Sequence, residues 1–252
     1  MLSNSQIKLF KSLHTKKFRV AEKQFIIEGH RLIEEAFRAK TKFDGIWCTE
    51  EYAEKNNELL TALKRAQNTW ETTSAKSLSQ VCDSQHNQGI IALLTLPEQT
   101  QFKIDNSPLL LLDNISDPGN MGTILRTAEW FGVKNVIFSP KCVDPYNSKV
   151  IRSAMGAHFH LNQIAHDNLI EIIPQLKNEG FTIIGAEMDG SSITKFSPPQ
   201  KWALVLGNEA HGLSPHIKPL LDKSITISKS GNIESLNVAV ACGVILERLT
   251  RS

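Results

Sequence analysis

Three loops in the C-terminal half of the chain carry the residues whose types and spacing could support chemistry. The first, SDPGNMGTILR at residues 116–126, contains two glycines, Asn120 and Arg126. Its glycines fit neither the GxGxxG dinucleotide fingerprint nor a P-loop, since no GKS or GKT follows. We expect Asn120 to cap a helix, which places Arg126 about a turn and a half into it. A cation there opposes the helix dipole and indicates an anionic partner, a carboxylate or a substrate phosphate, unless the arginine serves a buried ion pair.

The second loop, LGNEAHG at residues 206–212, ends the apolar run from Ala203 to Leu206. Gly207 has no side chain, so a ligand could approach the backbone closely there, although ordinary turn chemistry would explain the same glycine. Glu209 is the natural carboxylate partner for Arg126 if the two loops are neighbours.

The third loop, SGNIESLN at residues 230–237, leads into an apolar helical stretch, VAVACGVILERL. Ser235 or Asn232 could cap that helix, and capping alone would explain both residues. Asn237 would then lie beyond the cap, where Asn is a mediocre helix former, so capping explains it less easily.

Alternating apolar strands and amphipathic helices must position these loops. The predicted elements are strand LLLLD, helix 120–132, strand NVIFS, a helix near 147–154, strand HFHLN, helix 167–179, strands FTIIGAE, KWALVLGNE and SITISKS, and a helix from about 235 to 250. This pattern predicts a parallel sheet covered by helices on both faces. In such sheets ligands gather at the carboxyl ends of the strands, which is where all three loops fall.

The first hundred residues follow a separate pattern. Short apolar runs (FIIEG, FDGIWC and IIALLTL) alternate with helical stretches (HRLIEEAFRAK and EEYAEKNNELLTALKRA), which predicts a small α/β unit. A polar segment bounded by two prolines, PEQTQFKIDNSP at residues 97–108, is the best linker candidate.

The composition is that of an ordinary globular protein, with 41% hydrophobic and 21% charged residues. Its apolar runs are too short to cross a membrane and no signal peptide opens the chain, so we expect a cytoplasmic protein. The four cysteines share no CxxC spacing, which argues against a zinc site or a disulfide framework. His158 and His160 alternate in a predicted strand, and without a third ligand nearby we expect a structural role and no metal.

The net charge of +2 conceals an asymmetry. Residues 1–42 hold ten Lys and Arg against four acids, which gives this segment +6 and the remainder −4. Such a basic end is a typical footprint of nucleic-acid binding, because Lys and Arg neutralise phosphates and release counterions. A solvated basic helix face is the common alternative.

Together the three loops resemble the sequence motifs of the SpoU (TrmH-like) branch of the SPOUT RNA methyltransferases. The matching stretches are NISDPGNMGTILRTAEWFG, LVLGNEAHGLS and ISKSGNIESLNVAVACGVILE, in the family's order and spacing, with VIRSAMGAHFHL between them. The resemblance covers roughly residues 107–250. The first hundred residues, with FIIEGHRLIEEA and NQGIIALL, are similar to an L30e-like substrate-binding domain that often precedes this catalytic domain.

The resemblance implies S-adenosyl-L-methionine as methyl donor, a ribose 2′-hydroxyl of RNA as acceptor, a homodimer and a deep trefoil knot. Knots are nearly absent from proteins, and nothing in the periodicity shows one. The implied division of the chain is an RNA substrate-binding domain at residues 1–97, a linker at 98–106 and a methyltransferase domain at 107–252.

Carried over residue by residue, the resemblance assigns the family's catalytic positions to Asn120, Arg126, Glu209, Ser235 and Asn237. It implies cofactor contacts, largely through backbone and apolar atoms, from Leu206, Gly207, Asn208, Ile227, Leu236 and Asn237. We expect RNA contacts from Arg126 and from basic N-terminal side chains, namely Lys11, Lys16, Lys17, Arg19 and Arg31.

Methyl transfer to a ribose requires the 2′-hydroxyl to lose its proton at or before attack. The family's first-motif arginine is often assigned as the base, but an arginine is effectively always protonated. We therefore expect Arg126 to hold an RNA phosphate and to stabilise the developing alkoxide, with Glu209 fixing the guanidinium.

Ribosomal RNA is the expected substrate, because the fused N-terminal domain is frequent among ribosomal RNA enzymes. Transfer RNA is an alternative. A non-catalytic RNA-binding or ribosome-assembly protein that keeps the fold is another, although the complete set of motif residues argues against it. The missing phosphate fingerprint disfavours a dinucleotide-dependent enzyme.

Overall fold

A computed structural model of the chain describes residues 2–83, 87–98 and 102–251. The chain divides into two compact units, one formed by Met1–Glu98 with Tyr146–Phe159 and the other by Gln99–Pro145 with His160–Ser252. None of the helices within the described ranges is long and apolar enough to cross a membrane.

The N-terminal unit is built on a four-stranded sheet in the order β1-β4-β2-β3. β4 (Ile90–Thr95) runs antiparallel to β1 (Gln24–Glu28) and to β2 (Phe43–Cys48), and β3 (Trp70–Thr72) pairs in parallel with β2. The helices of this unit are α1 (Asn4–Leu13), α2 (Lys16–Glu22), α3 (His30–Arg38), α4 (Glu50–Lys55), α5 (Asn57–Arg65), α6 (Ala75–Ser79) and α8 (Ser148–Ala154). The predicted small α/β unit is therefore present.

Successive side chains along these strands point to opposite faces of the sheet, and both faces are buried. Phe25 and Ile27 pack in one cluster with Ile33 of α3, whereas Ile26 points to the opposite face and packs with Phe10 of α1. Side chains at positions two apart share a face of a strand, so a short apolar strand can serve two layers of helices at once.

Residues 146–159 belong to the N-terminal unit although the sequence places them within the C-terminal half. Ile151 of α8 is buried in the cluster around Phe25, and the ring of Tyr146 packs edge-on against Phe25 with centroids 5.1 Å apart. The strand predicted at HFHLN is wrong: Ala157–Phe159 form a 3₁₀ turn, so His158 and His160 do not alternate along a strand.

The C-terminal unit contains a six-stranded sheet in the order β10-β8-β9-β5-β6-β7, with every neighbouring pair parallel. Its strands are β5 (Leu109–Leu112), β6 (Asn135–Phe138), β7 (Gln163–His166), β8 (Thr182–Ser192), β9 (Trp202–Leu206) and β10 (Lys223–Thr226). The predicted parallel sheet is confirmed.

Helices cover this sheet on both faces. Leu109 and Leu111 pack with the buried side of α9 (Leu169–Asn178), while Leu110 and Leu112 point to the other face and are equally inaccessible to solvent. α7 (Pro118–Trp130) and α10 (Val238–Thr250) pack against each other.

The described part of the predicted linker packs within the C-terminal unit. Phe102 is buried in the cluster beside α9, and the backbone of Lys103 exchanges two hydrogen bonds with the side chain of Gln163, at 2.9 Å each. Residues 99–101 of that segment lie outside the described residues. The domain bounds predicted from the sequence remain a prediction.

Candidate active site

The first two loops leave the sheet side by side. β5 and β9 are parallel neighbours with Leu112 opposite Leu206, so their carboxyl ends open at the same edge. Directly after β5, the backbone N–H of Asp113 donates to the carbonyl of Leu206 (2.8 Å), and its buried carboxylate accepts a hydrogen bond from the backbone of Ser214 (2.7 Å). Asp113 thus ties the start of the first loop to the end of the second.

Glu209 of the second loop lies at the N-terminal end of α7. Its Oε1 accepts from the amide Nδ2 of Asn120 (3.1 Å) and from the backbone N–H of Asp117 (3.4 Å). Its Oε2 accepts from the hydroxyl of Ser116 (3.5 Å) and the amide of Asn208 (3.4 Å). The positive end of the helix dipole also favours a carboxylate at this position.

Asn237 brings the third loop to the same place. Its Nδ2 donates to Oδ1 of Asn120 (2.9 Å), while its own Oδ1 accepts from the backbone N–H groups of Ala239 (2.9 Å) and Val240 (3.2 Å). Asn237 is therefore the N-cap of α10, which corrects the expectation that Ser235 or Asn232 would cap this helix. The side chains of Asn237, Asn120 and Glu209 form one hydrogen-bonded chain across the three loops.

The expected pair between Arg126 and Glu209 does not form. Asp117, not Asn120, caps α7 with Pro118 at the first helical position, so Arg126 is the ninth residue of the helix instead of lying a turn and a half into it. The six residues from Asn120 to Arg126 correspond to about 9 Å along the helix axis, and the dipole acts mainly within the first turn. Arg126 is exposed and makes no hydrogen bond or ion pair with any residue in the described ranges.

Gly207 is needed for the loop's own packing. A Cβ at this position would lie 2.3–2.5 Å from backbone atoms of Gly212 and Leu213, so any other residue would force the second loop open. Asn208 and Gly212 exchange two backbone hydrogen bonds of 2.9 Å. The side chain of Asn208 also donates to the carbonyl of Asn114 (2.9 Å), which fixes this loop against the first.

The residues expected to hold a cofactor differ in what they can offer. The side chain of Leu206 is wholly buried and its carbonyl accepts from Asp113, so Leu206 shapes the loop. Ile227 is half-buried. In the third loop Ile233 and Leu236 are 67% and 45% exposed, which leaves apolar surface next to the polar chain of Asn237 and Asn120.

Cys142 lies beneath the first loop. Its Sγ donates to the carbonyl of Leu112 and accepts from the backbone N–H of Ile115, both at 3.3 Å. Burial raises the pKa of this thiol, so Cys142 stays neutral and acts as a structural group. In the parts of the chain that are described, no three His, Cys, Asp or Glu side chains are grouped to hold a metal ion.

The exposed sides of the packed helices α7 and α10 both carry apolar side chains, and we call these sides together the α7–α10 face. Gly243 of α10 faces Thr127 of α7, where the two helices meet. On the solvent side, Trp130 of α7 is 81% exposed, and Val240 and Val244 lie one helical turn apart on α10 with 52% and 42% exposure. Arg126 precedes Trp130 by one turn and shares this face.

The N-terminal basic residues divide into exposed and buried ones. Lys11, Lys16, Lys17 and Arg31 are exposed, as an RNA contact requires. Arg19 is only 3% exposed, and its Nη1 donates to the carbonyl of Leu13 (2.7 Å). The expected RNA contact of Arg19 is therefore wrong, because its guanidinium stabilises the turn between α1 and α2.

Several residues that organise the site were missed from the sequence: Asp113, Asn114, Ser116, Asp117 and Ser214. One of them carried a readable signal. An Asp followed by Pro at the start of a helix is the standard combination of an N-cap with a first helical residue that needs no N–H donor.

Known proteins resemble this chain over most of its length. Residues 107–247 match the model of the SpoU rRNA Methylase family, and residues 4–92 match the model of the MRM3-like substrate binding domain. The chain is 32% identical, over 250 residues, to the 23S rRNA (guanosine(2553)-2'-O)-methyltransferase RlmP of Bacillus subtilis, which covers 98% of this chain and 96% of that relative.

Solved structures share the fold over the whole chain. A putative RNA methyltransferase of the TrmH family from Porphyromonas gingivalis is 30% identical with a TM-score of 0.86, covering 100% of this chain and 99% of its own. The SpoU methyltransferase AviRb from Streptomyces viridochromogenes, solved in complex with AdoMet, is 22% identical with a TM-score of 0.87, covering 99% and 98%. At that identity the second likeness shows the fold alone.

Proposed function

The chain belongs to the SpoU rRNA methylase family, and on that premise we propose that it is an RNA 2′-O-ribose methyltransferase that uses S-adenosyl-L-methionine and acts on ribosomal RNA. The observation that carries the proposal is the hydrogen-bonded chain from Asn237 through Asn120 to Glu209. It joins the three loops whose motifs define the resemblance, at the edge of a parallel sheet where ligands bind.

The loops offer a cofactor both apolar side chains and polar backbone groups. In the third loop Ile233 and Leu236 expose apolar side chains, and in the second loop Gly207 and Asn208 present a tightly fixed backbone. We propose that Leu206, Gly207, Asn208, Ile227, Leu236 and Asn237 hold S-adenosyl-L-methionine. When bound, the cofactor supplies a methyl group on a positively charged sulfur.

The polar chain of the three loops has a positioning role in this proposal. Glu209 accepts hydrogen bonds from four groups, and the amides of Asn120 and Asn237 each bond to another loop. These bonds hold the loops in one arrangement before substrate binds, and such preorganisation lowers the cost of aligning reactants.

Arg126 is the group we assign to the RNA. Its guanidinium is permanently charged and lacks a partner within the described residues, so it can bind a phosphate and stabilise the negative charge that develops on the 2′-oxygen as its proton passes to solvent water and the methyl group is transferred to it. Ser235 is exposed and equally without a hydrogen bond to the described residues, and we propose that it contacts the RNA as well.

We further propose a homodimer in which a second copy covers the α7–α10 face. A tryptophan as exposed as Trp130, together with the exposed Val240 and Val244 on the adjoining helix, is typical of an interaction surface. Arg126 would then lie at the interface, where it could serve the partner's site. Replacing Val244 by Glu should convert the dimer to a monomer in sedimentation experiments, and an unchanged mass would contradict this interface.

Three finer proposals concern the chain as a whole. The shared fold with solved SpoU methyltransferases supports a deep trefoil knot in the C-terminal unit. The +6 segment at residues 1–42 supports an RNA substrate-binding domain at residues 1–97, joined by the 98–106 segment to a methyltransferase domain at 107–252. A ribosomal RNA substrate supports a cytoplasmic location.

Arg126→Ala tests the proposed function. We expect the variant to lose methyl transfer to ribosomal RNA, followed with a radiolabelled methyl donor, while calorimetry shows S-adenosyl-L-methionine binding within a few-fold of the wild type. Lys103→Ala, an exposed cation of the same unit, serves as the control. Near-normal turnover by Arg126→Ala would refute the assignment of Arg126, and a wild-type protein that binds no S-adenosyl-L-methionine would refute the reaction.

A further inference from the structure

The surface formed by α1 and α2 carries a group of lysines with no ionic partners. The five side chains are Lys8, Lys11, Lys16, Lys17 and Lys23, and all are exposed. None forms an ion pair or a side-chain hydrogen bond with a residue that the structure describes. Surface cations usually have acids nearby, but α1 and α2 contain a single acidic residue, Glu22, so the positive charge of this surface is available to an external anion.

α2 adds exposed apolar side chains to this charge. Of its seven residues only Arg19 is buried, and Phe18 and Val20 on either side of it are 43% and 55% exposed. Phe18 directly follows Lys16 and Lys17. Proteins that bind single-stranded nucleic acids commonly combine an exposed aromatic ring with nearby lysines, because a base stacks on the ring while the lysines hold the phosphates.

Arg19 keeps this surface in place. Its buried guanidinium donates to the carbonyl of Leu13 at the end of α1, and Lys23, in a left-handed conformation with φ of 53°, ends α2 and leads directly into β1. A ring presented on a fixed helix loses little conformational entropy when a base stacks on it.

We propose that α2 and the adjoining end of α1 dock an unpaired stretch of RNA, with one base stacked on Phe18 and neighbouring phosphates held by Lys11, Lys16 and Lys17. This rests on the proposed function, which requires an RNA substrate. A membrane surface fits less well, because the apolar side of α1, including Phe10 and Leu13, is already buried in the N-terminal unit and α2 has only seven residues.

The test measures binding of a fluorescent single-stranded 12-nucleotide oligoadenylate to the full chain. Phe18→Ala should weaken binding by about five- to a hundredfold, the loss of one stacked base. Phe18→Leu should bind the oligoadenylate nearly as weakly as Phe18→Ala, because leucine is apolar but has no ring on which a base can stack. Phe18→Trp, which has a ring, should bind like the wild type. Ile170→Ala, a similarly exposed apolar side chain in the other unit, should bind like the wild type.

A 12-base-pair RNA duplex separates stacking from charge. Phe18→Ala should leave duplex binding unchanged, whereas Lys16→Gln with Lys17→Gln should weaken both RNAs and lower the salt slope for the single strand by about 0.7 for each phosphate that is no longer neutralised. Equal oligoadenylate binding by Phe18→Ala and wild type would overturn the proposal, as would full retention by Phe18→Leu. So would Phe18-dependent binding to phosphatidylserine vesicles without binding to oligoadenylate.

Methyl transfer to transcribed ribosomal RNA is measured on the same proteins. Phe18-dependent RNA binding without any methyl transfer by the wild type would refute the proposed function and leave the docking surface standing. Normal transfer by both the wild type and Phe18→Ala, with equal RNA affinity, would refute the docking surface alone.

Discussion

Replacing Asn120 by Asp keeps the shape of the side chain but turns the Nδ2 donor that faces Glu209 into a carboxylate oxygen. The two oxygens would start 3.1 Å apart, the present distance between Asn120 Nδ2 and Glu209 Oε1. At that separation two negative charges repel by about 1 kcal/mol at the dielectric constant of water and by about 5 kcal/mol at an effective constant of 20. Both side chains are half-buried, so the repulsion should lie between these values.

The lost hydrogen bond adds about 1 kcal/mol, which gives an expected destabilisation of about 2–6 kcal/mol for Asn120→Asp. For a chain of this size, that lowers the melting temperature by about 4–24 °C. Thermal unfolding followed by circular dichroism at pH 8 measures it.

The second substitution Glu209→Gln turns this into a charge-swap experiment. In the double variant Asn120→Asp with Glu209→Gln, the carboxylate and the amide exchange places, so the donor–acceptor pair is rebuilt in reverse. We expect the double variant to recover most of the lost stability and part of the methyl transfer, which a double-mutant cycle reports as a coupling of about 2 kcal/mol or more.

Asn4→Asp is the matched control. It also introduces an acid into the first turn of a helix, in α1, whose first turn contains no other acid. We expect a change within about 0.5 kcal/mol, with the helix dipole slightly favouring the new charge. If Asn120→Asp melts like Asn4→Asp, or if Glu209→Gln does not rescue it, Glu209 does not accept from Asn120 as described.

Three further outcomes follow from other parts of the chain. Gly243→Ala should stabilise α10 by about 0.5–1 kcal/mol, because its Cβ would make only an ordinary van der Waals contact of 3.7 Å with a threonine methyl of α7; a lower melting temperature would contradict this. Hydrogen bonding from Ser148 and the charge of Arg152 lower the pKa of Asp83 from its ordinary value of 3.8. A carboxylate whose pKa is lower in the folded than in the unfolded protein adds stability at pH values above its unfolded-state pKa. This added stability is lost as the pH falls through its folded-state pKa. The free energy of unfolding of the wild type should therefore exceed that of Asp83→Asn by about 0.5–1 kcal/mol at pH 7, and in urea unfolding this gap should narrow as the pH falls below 3.8. Burial raises the pKa of Cys48 to about 11, so iodoacetamide at pH 8 should label this thiol only after denaturant is added, as mass spectrometry of the labelled peptide can show.

The arrangement of the three loops could be predicted from the sequence because it follows from strand direction alone. Apolar runs alternating with amphipathic helices imply parallel strands, and the carboxyl ends of parallel strands open at one edge of the sheet. The order of strands in the sheet could not be read from the same pattern. It is this order, with β5 beside β9, that places Asp113 against Leu206 and Ser214.

Side-chain partners were less predictable than loop positions. Charge complementarity suggested that Arg126 pairs with Glu209, but the donors that reach Glu209 are amides and a hydroxyl near the start of α7. Moving the helix start from Asn120 to Asp117 carries Arg126 away from the loops, because each helical residue adds about 1.5 Å. A shift of three residues in a helix boundary therefore decided which polar groups could meet.

The position of residues 146–159 depends on contacts that no local pattern contains. The sequence places this stretch between two elements of the C-terminal sheet, yet Ile151 is buried against the N-terminal strands and Asp83 holds Ser148 and Arg152. An amphipathic helix of seven residues shows which of its sides is apolar, but not which of two cores that side enters.

Asn237 shows why capping and function need not be alternative explanations of one residue. Its Oδ1 caps α10, which fixes where the helix begins, and its Nδ2 then has a defined direction in which it reaches Asn120. Asn120, Asn208 and Glu209 are likewise occupied by hydrogen bonds between loops. Of the residues that the resemblance assigns to catalysis, Arg126 and Ser235 are the two whose side chains make no hydrogen bond to the described residues. The groups that hold the loops together are thus distinct from the groups that are free to contact RNA. Substitutions of the residues that hold the loops should alter stability and activity together, whereas substitutions of Arg126 or Ser235 should alter activity alone.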